Sequence, residues 1–304
     1  MANITAAMVK ELREMTGAGM MDCKKALGET DGDMDAAVEF LRKSGAAKAE
    51  KKASRIAAEG ICRVAIEDNK KAVVCEVNSE TDFVAKNEVF QEFVQSVADT
   101  ALVSRKCGGK DGEDVEALLE GGLKDVLVEK TATIGEKLSF RRFERVEADC
   151  VVSYLHGGGR IGVLVGAKCQ DATDAVKEAL TNIAMQVAAL SPKFISQKDV
   201  DQDFLAKEKE IIMAQIENDP KEAAKPEKVK EGMVMGRINK EMKEFCLLDQ
   251  VYVKAEDGKQ SVAKYLESVD KSLVIEKFVR FEVGEGMEKK NEDFAAEVAA
   301  QMNA

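Results

Sequence analysis

Only a few side chains of this sequence could perform acid–base or nucleophilic chemistry, and the single histidine, His156, is the first to consider. A Ser-His-Asp or Cys-His catalytic arrangement would have to use this residue. No nucleophile-elbow motif accompanies it, so a polar turn residue at the end of a hairpin is the favoured interpretation. We therefore expect no catalytic residue and a protein that is not an enzyme.

A glycine run follows the histidine, and residues 157–162 (GGGRIG) fit the G-x-G-x-x-G pattern. Dinucleotide binding by this pattern needs a strand before it and a helix after it. A strand is predicted after these glycines, so they favour a hairpin turn with positive φ angles. No Walker A pattern is present. The seven cysteines contain no CxxC pair, so we expect neither a metal site nor a cofactor.

The segment 78–87 (NSETDFVAKN) places an acidic residue beside an aromatic one, in a connection predicted between a strand and a helix. One interpretation is helix capping by Thr81 or Asp82, with Phe83 packed into the core as a staple. The other is a functional loop, since binding residues concentrate in loops held by a rigid scaffold. The related segment at 168–172 carries no aromatic residue.

The composition predicts a globular protein with a charge-rich surface. The 304 residues are 45% hydrophobic and 33% charged, and the formal net charge is −11. An acidic chain is poorly suited to binding nucleic acid. The basic stretch from Arg42 to Arg55 is better explained as a solvated helical linker than as a phosphate-binding patch.

The sequence also favours a cytoplasmic protein. The N-terminal run MANITAAMVKELRE predicts a polar helix rather than a secretory signal, and no apolar run approaches the ~20 residues that span a membrane. The unpaired cysteines are expected to be reduced and mostly buried.

Residues 1–45 predict three short helices. Thr5 is expected to cap the first helix and Asp33 the third, and Gly45 is expected to end the third. The apolar residues expected on one side of the first helix are Met8, Val9, Leu12 and Met15.

A repeat with an offset close to 90 residues organises the middle of the chain. Each copy predicts a hairpin followed by an amphipathic helix, which indicates two related α+β halves packed into one core. An extra strand from Leu138 to Val146 is expected to begin the sheet of the second half. The predicted strand pairs are 61–66 with 72–77 and 150–155 with 161–167, and the predicted helices are 87–102 and 173–190.

The second half is interrupted by a segment that contains all three prolines of the chain. Residues 199–218 and 227–245 predict an antiparallel helical hairpin. A strand at 272–283 returns to the core, and residues 291–302 predict a C-terminal helix. In the hairpin, Ile211, Ile212 and Ile216 are expected to face Val229, Met233 and Ile238.

Four blocks of the sequence resemble motifs of the elongation factor Ts family, in the family's order and over nearly the whole chain. They are Val9–Glu14 with Thr16–Leu27, Thr81–Asn87, His156–Gly157 with Arg160–Leu164, and Arg280–Gly286. The resemblance implies an α+β fold with an N-terminal three-helix UBA-like module. It also implies a two-part core of hairpin–helix units with antiparallel sheets, a coiled-coil insertion and a C-terminal helix.

Domain boundaries follow from the resemblance combined with the predicted elements. The expected units are the UBA-like module (1–55), the first core half (56–148), the first part of the second core half (149–198), the helical hairpin (199–246), the second part of that half (247–286) and the C-terminal module (287–304).

The resemblance further implies a guanine-nucleotide exchange factor in translation elongation, whose partner is the GTPase elongation factor Tu. It would promote GDP release by disturbing the partner's magnesium and phosphate site. The alternative is an adaptor or scaffold that binds a partner independently of nucleotide state. No nucleic acid or membrane is expected as a direct partner, and a homodimer and a two-to-two complex both remain open.

The resemblance also assigns the binding residues. A wedge beside the partner's magnesium site would consist of Thr81, Asp82, Phe83 and Val84. The further partner contacts would be Arg13, Met20, Met21, His156, Gly157, Phe294 and Val298.

Overall fold

The computed structural model describes residues 4–109 and 112–288, and its fold is α+β with antiparallel sheets. The C-terminal helix expected at 291–302, with Phe294 and Val298, lies outside the described residues. The helices are α1 (Ala6–Thr16), α2 (Met20–Glu29), α3 (Met34–Lys52), α4 (Asp82–Ala85), α5 (Glu88–Ser104), α6 (Val115–Leu118), α7 (Lys124–Ile134), α8 (Asp174–Leu190), α9 (Gln202–Asn218), α10 (Pro220–Ala223), α11 (Glu227–Phe245) and α12 (Val262–Val269). The strands are β1 (Glu59–Glu67), β2 (Lys71–Ser79), β3 (Gly108–Gly109), β4 (Ser139–Glu147), β5 (Cys150–His156), β6 (Ile161–Lys168) and β7 (Val274–Glu282).

The N-terminal module consists of α1, α2 and α3, as predicted. The side chains of Thr5 and Asp33 accept hydrogen bonds from the first turns of α1 and α3, which confirms both caps. Gly17 ends α1 with a φ of 66°. The buried centre of the module comprises Leu12, Cys23, Ala26, Leu27 and Ala37.

Two expectations for this module were wrong. The sequence predicts Met15 on the inward side of α1, yet its side chain is largely exposed. Gly45 was expected to end α3, but the helix continues to Lys52. A Cβ atom on Gly45 would lie 3.2 Å from the Cβ of Ala132 on α7, so this glycine permits close packing of two helices rather than a helix end.

The repeat is confirmed by two antiparallel sheets with the orders β1-β2-β4-β3 and β5-β6-β7. The pairing of β2 with β4 shifts register between Glu76 and Val77, and the pairing of β6 with β7 shifts between Gly166 and Ala167, 90 residues later. The two bulges therefore occupy equivalent positions. It follows that β4 holds the same place in the first sheet as β7 does in the second.

This equivalence corrects the expectation that the strand from Leu138 to Val146 begins the second sheet. The strand pairs with β2 in the first sheet, where Phe143 lies opposite Cys75. Phe140 and Phe143 stack with ring centroids 5.8 Å apart and belong to the core beneath α5. Burial of these two rings explains why the strand stays with the first half.

The two sheets pack face to face, and α5 and α8 cover their outer faces. The layers therefore run helix, sheet, sheet, helix. A Cβ atom on Gly162 would lie 2.8 Å from a methyl group of Val74, so a glycine is needed for the sheets to approach closely. The buried apolar residues between the sheets are Cys62, Ala72, Val74, Val146, Val151, Leu164, Val279, Phe281 and Val283.

A buried carboxylate joins the two halves beside this layer. Glu76 accepts hydrogen bonds from Nε of Arg142 at 2.6 Å, from Nη1 of Arg141 at 3.0 Å and from the backbone N–H of Gly284 at 2.9 Å. Gly284 has a φ of 72° and lies against the carbonyl of Ala58. These hydrogen bonds of Glu76 therefore form a clasp that joins the segment 280–286 to the first sheet.

The helical hairpin between Pro192 and the return strand is also confirmed, with α9 and α11 packed together and α10 at the tip. Ile212, Ile216 and Ile238 are buried, and Met233 is partly buried. Ile211 and Val229 were expected to face the partner helix, but both are exposed. The buried stripe runs instead through Val234, Ile238 and Met242.

Candidate functional site

The turn that follows β2 is built by two helix caps in quick succession. The hydroxyl of Thr81 accepts a hydrogen bond from the N–H of Val84 at 3.4 Å, which starts the single turn α4. The side chain of Asn87 accepts from the N–H of Val89 at 2.9 Å, which starts α5. The short residues of Thr81–Asn87 thus fix a compact turn between strand and helix.

Phe83 projects from this turn into solvent, with 80% of its surface exposed. Val84 and Ala85 are buried in the first core. Successive residues of a helical turn are about 100° apart, so burial of these two directs Phe83 outward. The capping interpretation is confirmed for Thr81, but the interpretation of Phe83 as a core staple is wrong.

Asp82 places a negative charge next to the exposed ring. Its carboxylate is exposed and accepts a hydrogen bond from Nζ of Lys86 at 2.7 Å. This hydrogen bond, together with the charge of Lys86, lowers the pKa of Asp82. The turn therefore presents an ionised carboxylate beside an exposed aromatic ring, a combination suited to binding another protein.

The glycine run after His156 forms the tight turn between β5 and β6, as predicted. Gly157, Gly158 and Gly159 all have positive φ angles, between 58° and 104°. The ring of His156 is exposed, and its Nδ1 lies 3.1 Å from the hydroxyl oxygen of Tyr154. This environment is that of a surface turn residue, not of a histidine that activates a nucleophile.

The structure brings the turn at His156 and the turn at Phe83 to the same edge of the core, because β1 contacts both. The N–H of Cys62 in β1 donates to the carbonyl of Gly159 at 2.7 Å. Arg160 forms an ion pair with Glu59 at 2.8 Å. Glu59 in turn lies opposite Ser79, two residues before Thr81.

The N-terminal module presents exposed methionines. Met20 and Met21 are 61% and 76% exposed at the start of α2, and Arg13 is exposed on α1. Gly17, in the loop before α2, lies against Thr133 in the last turn of α7. Flexible thioether side chains in solvent are well suited to a soft apolar contact with a partner.

One residue near the turn cannot be predicted from the sequence. The carboxylate of Glu136, just after α7, accepts hydrogen bonds from the backbone N–H groups of Glu80 and Thr81. It is 55 residues from Thr81 in the chain, and no local pattern marks it. Only the pairing of β4 with β2 brings it to the turn.

The cysteines and acidic residues form no recognisable chemical centre in the described ranges. Six of the cysteines are buried and Cys107 is exposed, and all seven are free. Burial raises the pKa of the Cys75 thiol to about 12. Across residues 4–109 and 112–288, no three His, Cys, Asp or Glu side chains come together as metal ligands. None of the helices described is long and apolar enough to cross a membrane.

Comparisons with known proteins agree with the resemblance seen in the motifs. Residues 80–285 match the family model described as elongation factor TS. Elongation factor Ts from Clostridium perfringens (strain 13 / Type A) is 52% identical over 305 residues, which cover 97% of this chain and 98% of the relative.

Two further relatives match over nearly their whole length. Elongation factor Ts from Clostridium novyi (strain NT) is 50% identical over 315 residues, covering 99% of both chains. That from Clostridioides difficile (strain 630) is 50% identical over 312 residues, covering 99% of this chain and 100% of the relative. The chain therefore belongs to the elongation factor Ts family.

Proposed function

We propose that this protein is a guanine-nucleotide exchange factor for elongation factor Tu in translation elongation in the cytoplasm. The observation that carries the proposal is the exposure of Phe83 on a rigid, capped turn beside an ionised Asp82. Membership of the elongation factor Ts family supplies the identity of the partner.

The mechanism follows from how a GTPase holds GDP. A phosphate-binding loop and a magnesium ion grip the nucleotide, and magnesium tolerates little distortion of its octahedral ligands. Inserting Phe83 between two helices of the partner would displace the elements that carry these ligands. Full burial of such a side chain contributes about 1.5–3 kcal/mol, which offsets part of the cost of parting the helices.

The remaining surface residues would hold the partner while the ring acts. Asp82 would attract partner donor groups or disturb the electric field at the metal. Arg13, Met20 and Met21 would contact the GTPase domain through the N-terminal module. His156 and Gly157 would form a second contact on the core edge that also carries Phe83.

Exchange of this kind makes and breaks no covalent bond, so the proposed activity needs neither a catalytic residue nor a cofactor. The thermodynamics are reciprocal. If the protein weakens GDP binding by a given factor, GDP must weaken binding of the protein by the same factor. Exchange then proceeds through a nucleotide-free complex of the two proteins.

The direct test is release of a fluorescent GDP analogue from elongation factor Tu, followed by stopped flow with and without this protein. Strong acceleration is expected. Binding without acceleration, at an affinity that does not depend on bound GDP, would refute the proposal and support an adaptor instead.

A further inference from the structure

The turn that carries Asp82 and Phe83 is held from outside by one carboxylate. Oε2 of Glu136 accepts hydrogen bonds from the N–H of Glu80 at 3.1 Å and from the N–H of Thr81 at 3.0 Å. Oε1 of Glu136 accepts from the hydroxyl of Thr81 at 2.6 Å. All three donors lie within three residues of Phe83, so this side chain fixes the backbone from which the ring projects.

The anchoring is reciprocal. Oε1 of Glu80 accepts a hydrogen bond from the N–H of Lys137 at 2.6 Å, so each segment places a carboxylate on the backbone of the other. Nη1 of Arg55 lies 3.3 Å from Glu80, and Nζ of Lys137 donates to the carbonyl of Arg55 at 2.7 Å. Hydrogen bonds to an ionised acceptor are roughly twice as strong as neutral ones.

The hydrogen bonds of Glu136 to Glu80 and Thr81 form a brace, and the hydroxyl of Thr81 links this brace to the helix cap. It donates to Glu136 and accepts from the N–H of Val84. Donation to Glu136 fixes the hydrogen of the hydroxyl and leaves its lone pairs for the cap. Glu136 therefore orders both the entry to α4 and the cap that starts it.

We propose that Glu136 is the positioning residue of the exchange turn: it holds Thr81 so that Phe83 is already directed for insertion before the partner arrives. The inference rests on the proposed function, because it assigns Glu136 a role in exchange at that same turn. A turn ordered in advance has less conformational entropy to lose when the docked complex inserts the ring, so preorganisation raises the rate of that step rather than the affinity of docking.

The first test separates the rate of exchange from affinity. Glu136→Ala removes all three acceptor contacts, and the maximum rate of GDP release at saturating protein is expected to fall about tenfold. The half-saturating concentration should stay within about twofold, since the other partner contacts are intact. A role in stability alone would reduce the folded fraction, raise that concentration and leave the maximum rate unchanged.

Two further variants complete this test. Glu136→Gln can accept from both N–H groups through its amide oxygen and donate to Thr81 through its amide nitrogen, so it should restore the rate to within about twofold. Glu120→Ala removes an exposed carboxylate from the helical segment before α7 and should behave as wild type. An unchanged maximum rate for Glu136→Ala, beside a slowed Phe83→Ala, would overturn the role of Glu136 and leave the proposed function standing.

The second test does not depend on exchange. The chain contains no tryptophan, so Phe83→Trp introduces a single fluorescent reporter at an exposed position. Adding Glu136→Ala is expected to lower the residual anisotropy of the indole, whereas adding Glu120→Ala should not. Unaltered anisotropy in the Glu136→Ala background would overturn the proposal. A third outcome is lower anisotropy together with full exchange by both Phe83→Ala and Glu136→Ala. That result would show that Glu136 orders the turn, but it would refute the proposed role of Phe83 in GDP release.

Discussion

The two halves of the core share one framework and differ in the connection that follows the second strand of each hairpin. In the first half, Thr81–Asn87 forms an extra helical turn and exposes Phe83. In the second half, residues 169–173 pass directly to α8, which is capped by the side chain of Thr173. The second connection is shorter and presents no aromatic residue.

The framework itself repeats closely. Val73 and Val163 both lie under the covering helices, and Val74 and Leu164 both lie between the sheets. The scaffold is therefore common to the two halves, and the proposed activity belongs to a connection found in only one. This is the usual division between a packed framework and a functional loop.

A second difference lies at the bulge. The first half carries the buried Glu76 there, and the second half carries Gly166. Glu76 joins the sheets by hydrogen bonds, whereas Gly166 lets Val146 of the other sheet approach. The bulge position therefore carries the hydrogen-bonding carboxylate of the clasp in the first half and permits close packing of the sheets in the second half.

The largest effect is expected from breaking this clasp. Glu76→Ala removes the buried carboxylate from the guanidinium of Arg142 and leaves it only the exposed carboxylate of Glu285 at 3.3 Å, which should lower the free energy of unfolding by about 3–5 kcal/mol. Urea denaturation measures this loss. Glu67→Ala, which removes an exposed ion pair with Lys71 on the same hairpin, is the control and should change stability by at most about 0.5 kcal/mol. If the two variants lost similar free energies of unfolding, the clasp would contribute no more to stability than an exposed ion pair.

The next largest effect should come from removing the feature that separates the two connections. Phe83→Ala is expected to slow GDP release at least about 25-fold, corresponding to about 2 kcal/mol of lost binding in the nucleotide-free complex. Its stability should change by at most about 0.5 kcal/mol, because the ring is exposed. Stopped-flow release and denaturation of the same samples measure both quantities.

A matched control for Phe83→Ala is available on the next helix. Val103 is also 80% exposed, on α5, but lies outside the turn. Val103→Ala should leave exchange unchanged. If it slowed release as much as Phe83→Ala does, apolar surface in general, rather than the turn, would be responsible.

A smaller effect is expected for the charge beside the ring. Asp82→Asn should slow exchange by about three- to tenfold. Because Lys86 lowers the pKa of Asp82, the carboxylate gains its favourable interaction above the usual pKa and loses it only as pH falls through the lowered value. The ratio of wild-type to variant rates should therefore be constant from about pH 6 to 8. A ratio that changes across this range would assign the effect to another group.

The smallest effect on GDP release is predicted for introducing an aromatic residue into the equivalent connection of the second half. Asp171→Phe places a ring on the exposed connection before α8. Residues 169–173 contain no helical turn like α4 that could direct the ring, so the rate of GDP release should change by less than about twofold. The double variant Phe83→Ala with Asp171→Phe tests the same point. If it exchanged GDP as fast as wild type, any exposed ring would suffice and the turn at Phe83 would not be needed.

Much of the framework could be predicted from the sequence because its signals are local. The hairpins, α5, α8 and the caps at Thr5 and Asp33 depend on alternation and on residues three apart. The errors depend on distant parts of the chain. The assignment of β4 required its pairing with β2, and the role of Gly45 required its contact with Ala132.

The candidate site shows the same limit. The block Thr81–Asn87 was found from its residues, but the direction of Phe83 was not, because burial of Val84 and Ala85 decides it. Glu136 had no local signal, since its partners lie across two strands. Capping chemistry can be predicted from neighbours in sequence, whereas the bracing of a turn by a remote side chain cannot.

The most direct test of the central claim is the affinity of the protein for elongation factor Tu with and without bound GDP. Wild-type protein is expected to bind the nucleotide-free partner more tightly than the GDP-bound partner. Phe83→Ala is expected to reduce the ratio of these two affinities at least about tenfold, while Val103→Ala should preserve it. A ratio that is the same for wild type and Phe83→Ala would contradict the claim that this turn couples binding to GDP release.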